Sequence, residues 1–431
     1  MNRKLVLALA LTLLVGMLNV AFNIERAKAS GTIYIRADGS IDPPTAPIST
    51  VDNVTYTLTG NITSDADGIV VERSNIIIDG NGYRLQGAGR DYSPDGRRMN
   101  GFFLYDINNV TITRTNIKGF SNFGICAQDS WNNSIFENNM MNNEYGIGIL
   151  ALAERARDGN NNIYGNNLKN NGHGIFIIYS SHNNISGNNM TDNGRGIYLG
   201  SGSSLCLVAG NNLINNTYSV ELGYASDNIF YHNNFINNEV QVYDPNIPKS
   251  INVWDDGYPS GGNYWSDYTG VDVNMDGIGD SSYEIDSMNI DHYPLMGTFS
   301  DFPVTLEEET YQVTTVCNST ISAFQFDQVN RIIRFNVTGE EGIGFCRVCI
   351  PHALMEPPYT VTVDGHLPQY VNYTLYHNGT HTWIIFTYQH STHQVVIVPE
   401  FPTWASMLLM LIVLTVATVI HKRRLLKIPI H

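Results

Sequence analysis

Between residues 108 and 238 the apolar positions come in short runs, each fenced by Asn or Gly. Aligning each Asn that precedes an apolar residue gives Asn116-Ile117, Asn139-Met140, Asn167-Leu168, Asn189-Met190, Asn212-Leu213 and Asn234-Phe235, at intervals of 23, 28, 22, 23 and 22. The one long interval holds the polar insert Glu154-Arg155-Ala156-Arg157-Asp158-Gly159. Gly-Ile follows most of these Asn seven or eight residues on, at Gly124, Gly146, Gly174 and Gly196, and Ser219-Val220 fills the same slot. Each repeat thus predicts short strands separated by Asn and Gly. A period of 22 to 23 with three strands is one coil of a parallel β-helix. A leucine-rich repeat would need Leu at fixed internal offsets, which this repeat does not have. The runs Gly68-Ile69-Val70-Val71 and Asn75-Ile76-Ile77-Ile78-Asp79-Gly80 predict the first coils, and residues 32 to 60 a cap over the exposed end.

Strand alternation sorts the faces. Ile125, Ile147, Ile175, Ile197 and Val220 form one inward column; Ala127, Ile149, Ile177, Leu199 and Leu222 form another. Between them Cys126, Gly148, Phe176, Tyr198 and Glu221 point outward, with His173, Arg195 and Tyr218 in the slot before the strand. Phe176 and Tyr198 lie on adjacent coils, ~4.8 Å apart, and flat aromatics among polar groups suit sugar stacking. The competing reading is that they cover an apolar patch.

Composition gives the same picture from another side. The chain has 431 residues and 49 Asn, 31 of them between Asn108 and Asn238. Asn tolerates the left-handed backbone of a sharp coil turn, and stacked Asn side chains can hydrogen-bond along a ladder. The Asn column is therefore read as structural. Apolar stretches mark both ends. Arg3 and Lys4 precede the run Leu5 to Phe22, and Ala27-Lys28-Ala29 offers a cleavage site, so residues 1–29 predict a signal peptide. Residues 401–420 are uncharged and long enough to span a bilayer, and the tail 421–431 carries Lys422, Arg423, Arg424 and Lys427. The chain between is expected outside the cell, held by its C-terminus. Residues 30–398 hold 16 bases against 38 acids, a net of −22, which argues against nucleic acid. Eleven Asn-x-Ser/Thr sequons, from Asn53 to Asn378, agree with export.

Residues 31–298 are read as the β-helix and 301–398 as a separate small β-sandwich, from alternating strands such as Ile332 to Val337 with turns about every ten residues. At the end of the helix, Asp272, Asn274 and Asp276 occupy positions 1, 3 and 5 of a calcium-type loop, with Gly277 at 6, the Ile278 carbonyl at 7 and Asp280 at 9. Tyr283 stands at position 12 where a bidentate Glu belongs, and Glu284 or Asp286 are its possible substitutes. The expected cofactor is structural Ca²⁺. Of the five cysteines, Cys346 and Cys349 lie in a strand-like run, which favours a structural disulfide of Cys317 with one or the other over a zinc or redox motif. Copper would want clustered His, Met or Cys. His173, His182 and His232 are on separate coils, Met140-Met141 lacks partners, and His377, His381, His390 and His393 near one C-terminal hairpin are the best such group.

The coils, reading Asn-Asn-x-[apolar]-x-Asn-Asn-x-x-Gly-Ile, resemble the NosD-type family of right-handed parallel β-helix proteins, whose wider pectin-lyase-like group includes carbohydrate-binding and sugar-hydrolase domains. The resemblance runs from about residue 50 to 298 and includes Gly262-Asn263-Tyr264-Trp265-Ser266-Asp267-Tyr268. Pro399-Glu400-Phe401-Pro402 before the last apolar run resembles the archaeal PEF-type sorting signal. Together these features predict an all-β surface protein: right-handed β-helix, β-sandwich stalk, transmembrane helix. The resemblance implies carbohydrate or a cell-envelope component as partner. A non-catalytic role is the first expectation. The alternatives are a polysaccharide lyase or hydrolase, for which His173, Arg195 and Glu221 are weak catalytic candidates, and a copper accessory protein, which the family name alone implies.

Overall fold

The computed structural model describes residues 31–89, 98–153 and 157–400. The expected signal peptide, membrane span and basic tail lie outside these residues. Among the described residues there is no α-helix and no helix long and apolar enough to cross a membrane. The chain divides into two compact units, Met1–Val271 with Asp280–Pro294, and Asp272–Gly279 with Leu295–His431.

The first unit is the right-handed parallel β-helix that the repeat predicts. Its coils contribute strands to three sheets of ten, nine and nine strands. The first sheet runs from Ile33–Ile35 to Val240–Tyr243, the second from Thr55–Leu58 to Ile229–Tyr231, and the third from Ile62–Thr63 to Tyr264–Trp265. Neighbouring coils pair in parallel and in the register of the repeat: Asn116, Asn139, Asn167, Asn189, Asn212 and Asn234 stand opposite one another in turn. At the N-terminal end Ile41–Asp42 and Ile48–Ser49 pair antiparallel with the edges, a cap where the sequence places one. Inside, both predicted apolar columns are buried, from Ile125 to Val220 and from Ala127 to Leu222.

The asparagines divide into three roles where the sequence suggested one. A residue with positive φ turns each corner: Asn132, Glu137 and Asn142 in one coil, His182, Gly187 and Asp192 in a later one. These turn residues are of several kinds. The residue after each points inward and is Asn in both coils: Asn133, Asn138, Asn143, then Asn183, Asn188, Asn193, all buried. Such inward Asn form a ladder at each corner. Asn166 donates both its backbone N–H and its side-chain N–H to Asn188 Oδ1, at 3.0 Å each. Asn188 in turn donates to Ile163 O, Ser186 O and Asn211 Oδ1. Every capacity of the buried amide is used, so the desolvation cost of a polar core is offset. Cys206 takes an Asn place in one ladder, and the Asn183 amide donates to Ser180 O and Oγ as well as to the Cys206 sulfur. The third role belongs to the aligned row Asn116 to Asn234, which faces out from the third sheet, exposed or half-buried as far as Asn212 and covered at Asn234, and links side chain to side chain, as Asn167 to Asn139 at 3.0 Å.

Aromatic stacking closes the far end. Trp254 stacks on Phe230 at 4.2 Å, and Trp265 lies between Phe235 at 4.1 Å and Tyr283 at 4.3 Å. One ladder ends on Asp291, which accepts from Asn263 N–H and Trp265 Nε1 at 2.8 Å each. A Cβ on Gly262 would run into that carboxylate, which explains the Gly-Asn-Tyr-Trp motif. Burial pushes the Asp291 carboxyl up to about 6.

The second unit is an antiparallel sandwich of five and four strands. Its core includes Val313, Cys317, Phe335, Cys346, Val348, Ile384, Phe386 and Val395. The loop Asp272–Gly279, which the sequence attaches to the helix, groups with this unit. Ile278 bridges to Leu295, and a Cβ on Gly277 would lie 3.0 Å from Arg347 Cδ.

Candidate binding face and cation loop

The outward face of the first sheet breaks the Asn repeat. One column reads Phe123, Tyr145, His173, Arg195, Tyr218 in register; the next reads Phe103, Cys126, Gly148, Phe176, Tyr198, Glu221, Tyr243. In the first column the planar groups stack along the helix axis: Phe123 on Tyr145 at 4.5 Å, Tyr145 on His173 at 4.6 Å, and the Arg195 guanidinium 5.5 Å from the Tyr218 ring centre. In the second, Phe176 and Tyr198 stack at 4.7 Å with an 8° interplanar angle. The columns meet edge to face, His173 with Phe176 at 5.5 Å and with Tyr198 at 6.2 Å. Glycines leave room for the rings. A Cβ on Gly148 would hit the Phe123 ring, and one on Gly200 or Gly223 would hit Tyr198. Burial raises the Tyr198 phenol above its ordinary range, with the Glu221 charge adding to it.

The predicted residues Phe176, Tyr198, His173, Arg195 and Glu221 therefore come together on one surface. Their geometry differs from simple sugar stacking. The one-coil spacing that aligns the rings also presses them face to face, so each covers its neighbour's flat side. Of the strip, Tyr243 is exposed, Tyr145, Phe176, Tyr198 and Tyr218 are half-buried, Phe123 is buried, and the Tyr198 hydroxyl lies over Gly223. Tyr145 and Phe123, which sequence reasoning passed over, extend the strip; they occupy the slot before Gly-Ile that His173 and Arg195 also fill. Arg195 and Glu221 form an ion pair with each other. In the strands of the first sheet from Phe102–Tyr105 to Val240–Tyr243 they are the charged side chains, and they neutralise each other.

The loop from Asp272 to Asp280 is tightly folded. Asp272 accepts the backbone N–H of Asp276 at 3.0 Å and of Gly277 at 2.7 Å; Asp276 accepts that of Ile278 at 2.8 Å. Asn274 Oδ1 accepts the Asp276 N–H, and its amide donates to Asp276 Oδ2. Gly277 has φ +83°, the conformation position 6 requires. These oxygens suit a hard cation in kind, and as placed they hold the loop together by themselves. Asp280 N–H bonds Val271 O.

The histidines near the C-terminus do not converge. His377 stacks on His352 at 4.8 Å at one end of the strand His381–Gln389. His390 and His393 lie at the other end, about 27 Å away at strand rise. His393 is fixed by Asp364 and by Gln389 O, each at 2.7 Å. The sequence misjudged this group because two turns, rather than one, carry it. Among the described residues no cluster of three or more His, Cys, Asp or Glu side chains is arranged to hold a metal ion. All five cysteines are buried and stand as thiols in this structure.

Comparison with curated proteins gives no match. Among solved structures the chain is similar to a hyperthermoactive exopolygalacturonase from Thermotoga maritima, at 12% identity over 54% of this chain and 66% of that one, with a TM-score of 0.32. It spans just under two thirds of that enzyme. It is also similar to the enzymatically active domain of tailspike protein 2 of bacteriophage CBA120, at 9% identity over 79% and 71% of the two chains, TM-score 0.37. A tailspike of E. coli bacteriophage HK620 aligns at 10% identity over 81% and 69%, TM-score 0.34. The family described as periplasmic copper-binding protein (NosD) matches residues 28–173 and 156–270, more than half of the chain. With its Asn-cornered coils in the same span, the chain belongs to the NosD family.

Proposed function

We propose that this chain is a surface-anchored, non-catalytic β-helix that binds carbohydrate, or a hydroxyl-rich component of the cell envelope, along the outward face of its first sheet. The observation that carries this reading is the contiguous aromatic strip from Tyr145 to Tyr218 and Tyr243, rings stacked in register on the outward face with Phe123 buried at its end. Phenols donate to and accept from sugar hydroxyls, while ring edges offer apolar contact. The closed Arg195–Glu221 pair leaves little net field, which suits a neutral glycan. The apolar ends of the sequence support anchoring outside the membrane.

A lyase or hydrolase needs more than this face offers. Hydrolysis calls for two carboxyl groups within ~5 to 10 Å, and Glu221 is the carboxylate in these strands. Copper, which the family's description implies, finds no fitting donor set among the described residues. His173 is held in the aromatic stack, His182 pairs with Asp158, His232 bonds Ser260 O, and Met140 is core. Calcium at Asp272, Asn274, Asp276, the Ile278 carbonyl and Asp280 remains part of the proposal on the chemistry of these oxygen donors alone, since as placed the carboxylates do not converge on one point. A melting temperature of the full protein that does not move between chelator and millimolar Ca²⁺ would remove it.

The functional reading is tested by incubating the full-length protein with a panel of neutral and anionic polysaccharides. Retention on a neutral glycan, with no new reducing ends and no unsaturated products, is expected. Turnover that Glu221→Gln abolishes would replace the proposal with catalysis.

A further inference from the structure

The sandwich carries a cysteine arrangement that the binding face does not use. Cys317 ends the strand Glu309–Cys317, and Cys346 lies directly opposite it on the antiparallel strand Ile343–Pro351. Both are buried in the core between the sheets. Directly opposed residues of an antiparallel pair have Cα atoms ~4.5 to 5.5 Å apart with side chains on the same face, inside the window a disulfide accepts, ~4.4 to 6.8 Å. The Cys317 thiol donates to Phe345 O at 3.0 Å and lies 3.4 Å from Tyr388 Oη. Cys349 is three residues from Cys346, so it points to the other face of the strand, opposite Trp383. Cys126 and Cys206 belong to the other unit.

We propose that Cys317 and Cys346 are a disulfide site, closed while the exported chain folds, and that Cys349 stays a thiol. The oxidant is a disulfide of the exchange-catalyst class. The Cys317 thiolate attacks one of its sulfurs, forming a mixed disulfide and releasing one thiol. The Cys346 thiolate then attacks the Cys317 sulfur, releasing the second thiol. Two thiols become one disulfide, and the oxidant's disulfide takes up the two electrons and two protons. Burial afterwards shields the bond from reductants, so it acts as a lock on residues 318–345 rather than a switch.

The test is peptide mass mapping of full-length protein, treated with N-ethylmaleimide in the cells and then unfolded without reduction in excess N-ethylmaleimide, so that buried thiols are alkylated as they are exposed. A Cys317–Cys346 linked peptide, two hydrogens lighter than its parts, is expected, with Cys126, Cys206 and Cys349 all alkylated. Alkylation of all five, or a Cys317–Cys349 link, would overturn the proposal. Reduction in denaturant followed by refolding without oxidant should lower the melting temperature of the sandwich by roughly 10 °C. Cys349→Ser should show the same loss. The double variant Cys317→Ser/Cys346→Ser should show none; if it does not fold, the mapping of the natural protein decides alone.

Discussion

Two sets of asparagines repeat along the β-helix with one period and opposite consequences. Asn188 is buried at a corner, and its amide serves the coils before and after it. Asn189 is its neighbour in the chain, faces out from the third sheet, and shares its side chain with Asn167 at 3.3 Å. Letter and spacing are the same; access to water separates them. Where water can replace a lost partner, an Asn is worth little. Where it cannot, removing the side chain leaves backbone groups of adjacent coils without partners.

The largest effect that would sharpen this contrast is expected at Asn188→Ala. It orphans the Asn166 N–H and the carbonyl of Ile163, and leaves a cavity besides, so denaturant titration should show a loss of roughly 3–5 kcal/mol. Next is Gly262→Ala, whose methyl would collide with Asp291; a loss of about 2–4 kcal/mol is expected from the same titration. The Asp291 carboxyl adds a pH signature. Its folded pKa, about 6, lies above the ordinary 3.8, so the folded state holds the proton more tightly. Stability should therefore be highest below pH 4 as far as this group is concerned, and fall by about 2 kcal/mol as pH rises to about 6. Asp291→Asn should flatten that part of the profile. Smallest is Asn189→Ala, expected within about 0.5 kcal/mol of the natural protein. Equal losses at Asn188 and Asn189 would break the comparison.

Much of the fold was legible because hydrogen-bonded coils impose one register on everything they carry. The 22 to 23-residue spacing alone places the inward columns of Ile125 and Ala127, and pairs Phe176 with Tyr198. The roles of the asparagines were less legible. Turn residue, buried ladder and surface row fall within three or four positions of each other, and only burial tells Asn188 from Asn189. Left-handed corners held by Glu137, Tyr179 or Leu205 show that the coil imposes that conformation on whatever residue arrives there. Asp291 was missed because it stands outside the repeat, as the last rung of a ladder whose other rungs are amides. The flat sides of Phe176 and Tyr198 were misjudged for a physical reason visible in the spacing itself: rings one coil apart touch.

On the proposed reading the first sheet, and not the Asn-rich third sheet, meets the ligand. The direct measurement compares binding of a retained neutral glycan by the natural protein, by Tyr145→Ala/Tyr198→Ala and by Asn189→Ala/Asn212→Ala, each shown to be folded. At least a tenfold loss, about 1.4 kcal/mol or more, is expected for the tyrosine pair and less than about twofold for the asparagine pair. Binding undiminished without the tyrosines, or lost without the asparagines, would contradict it.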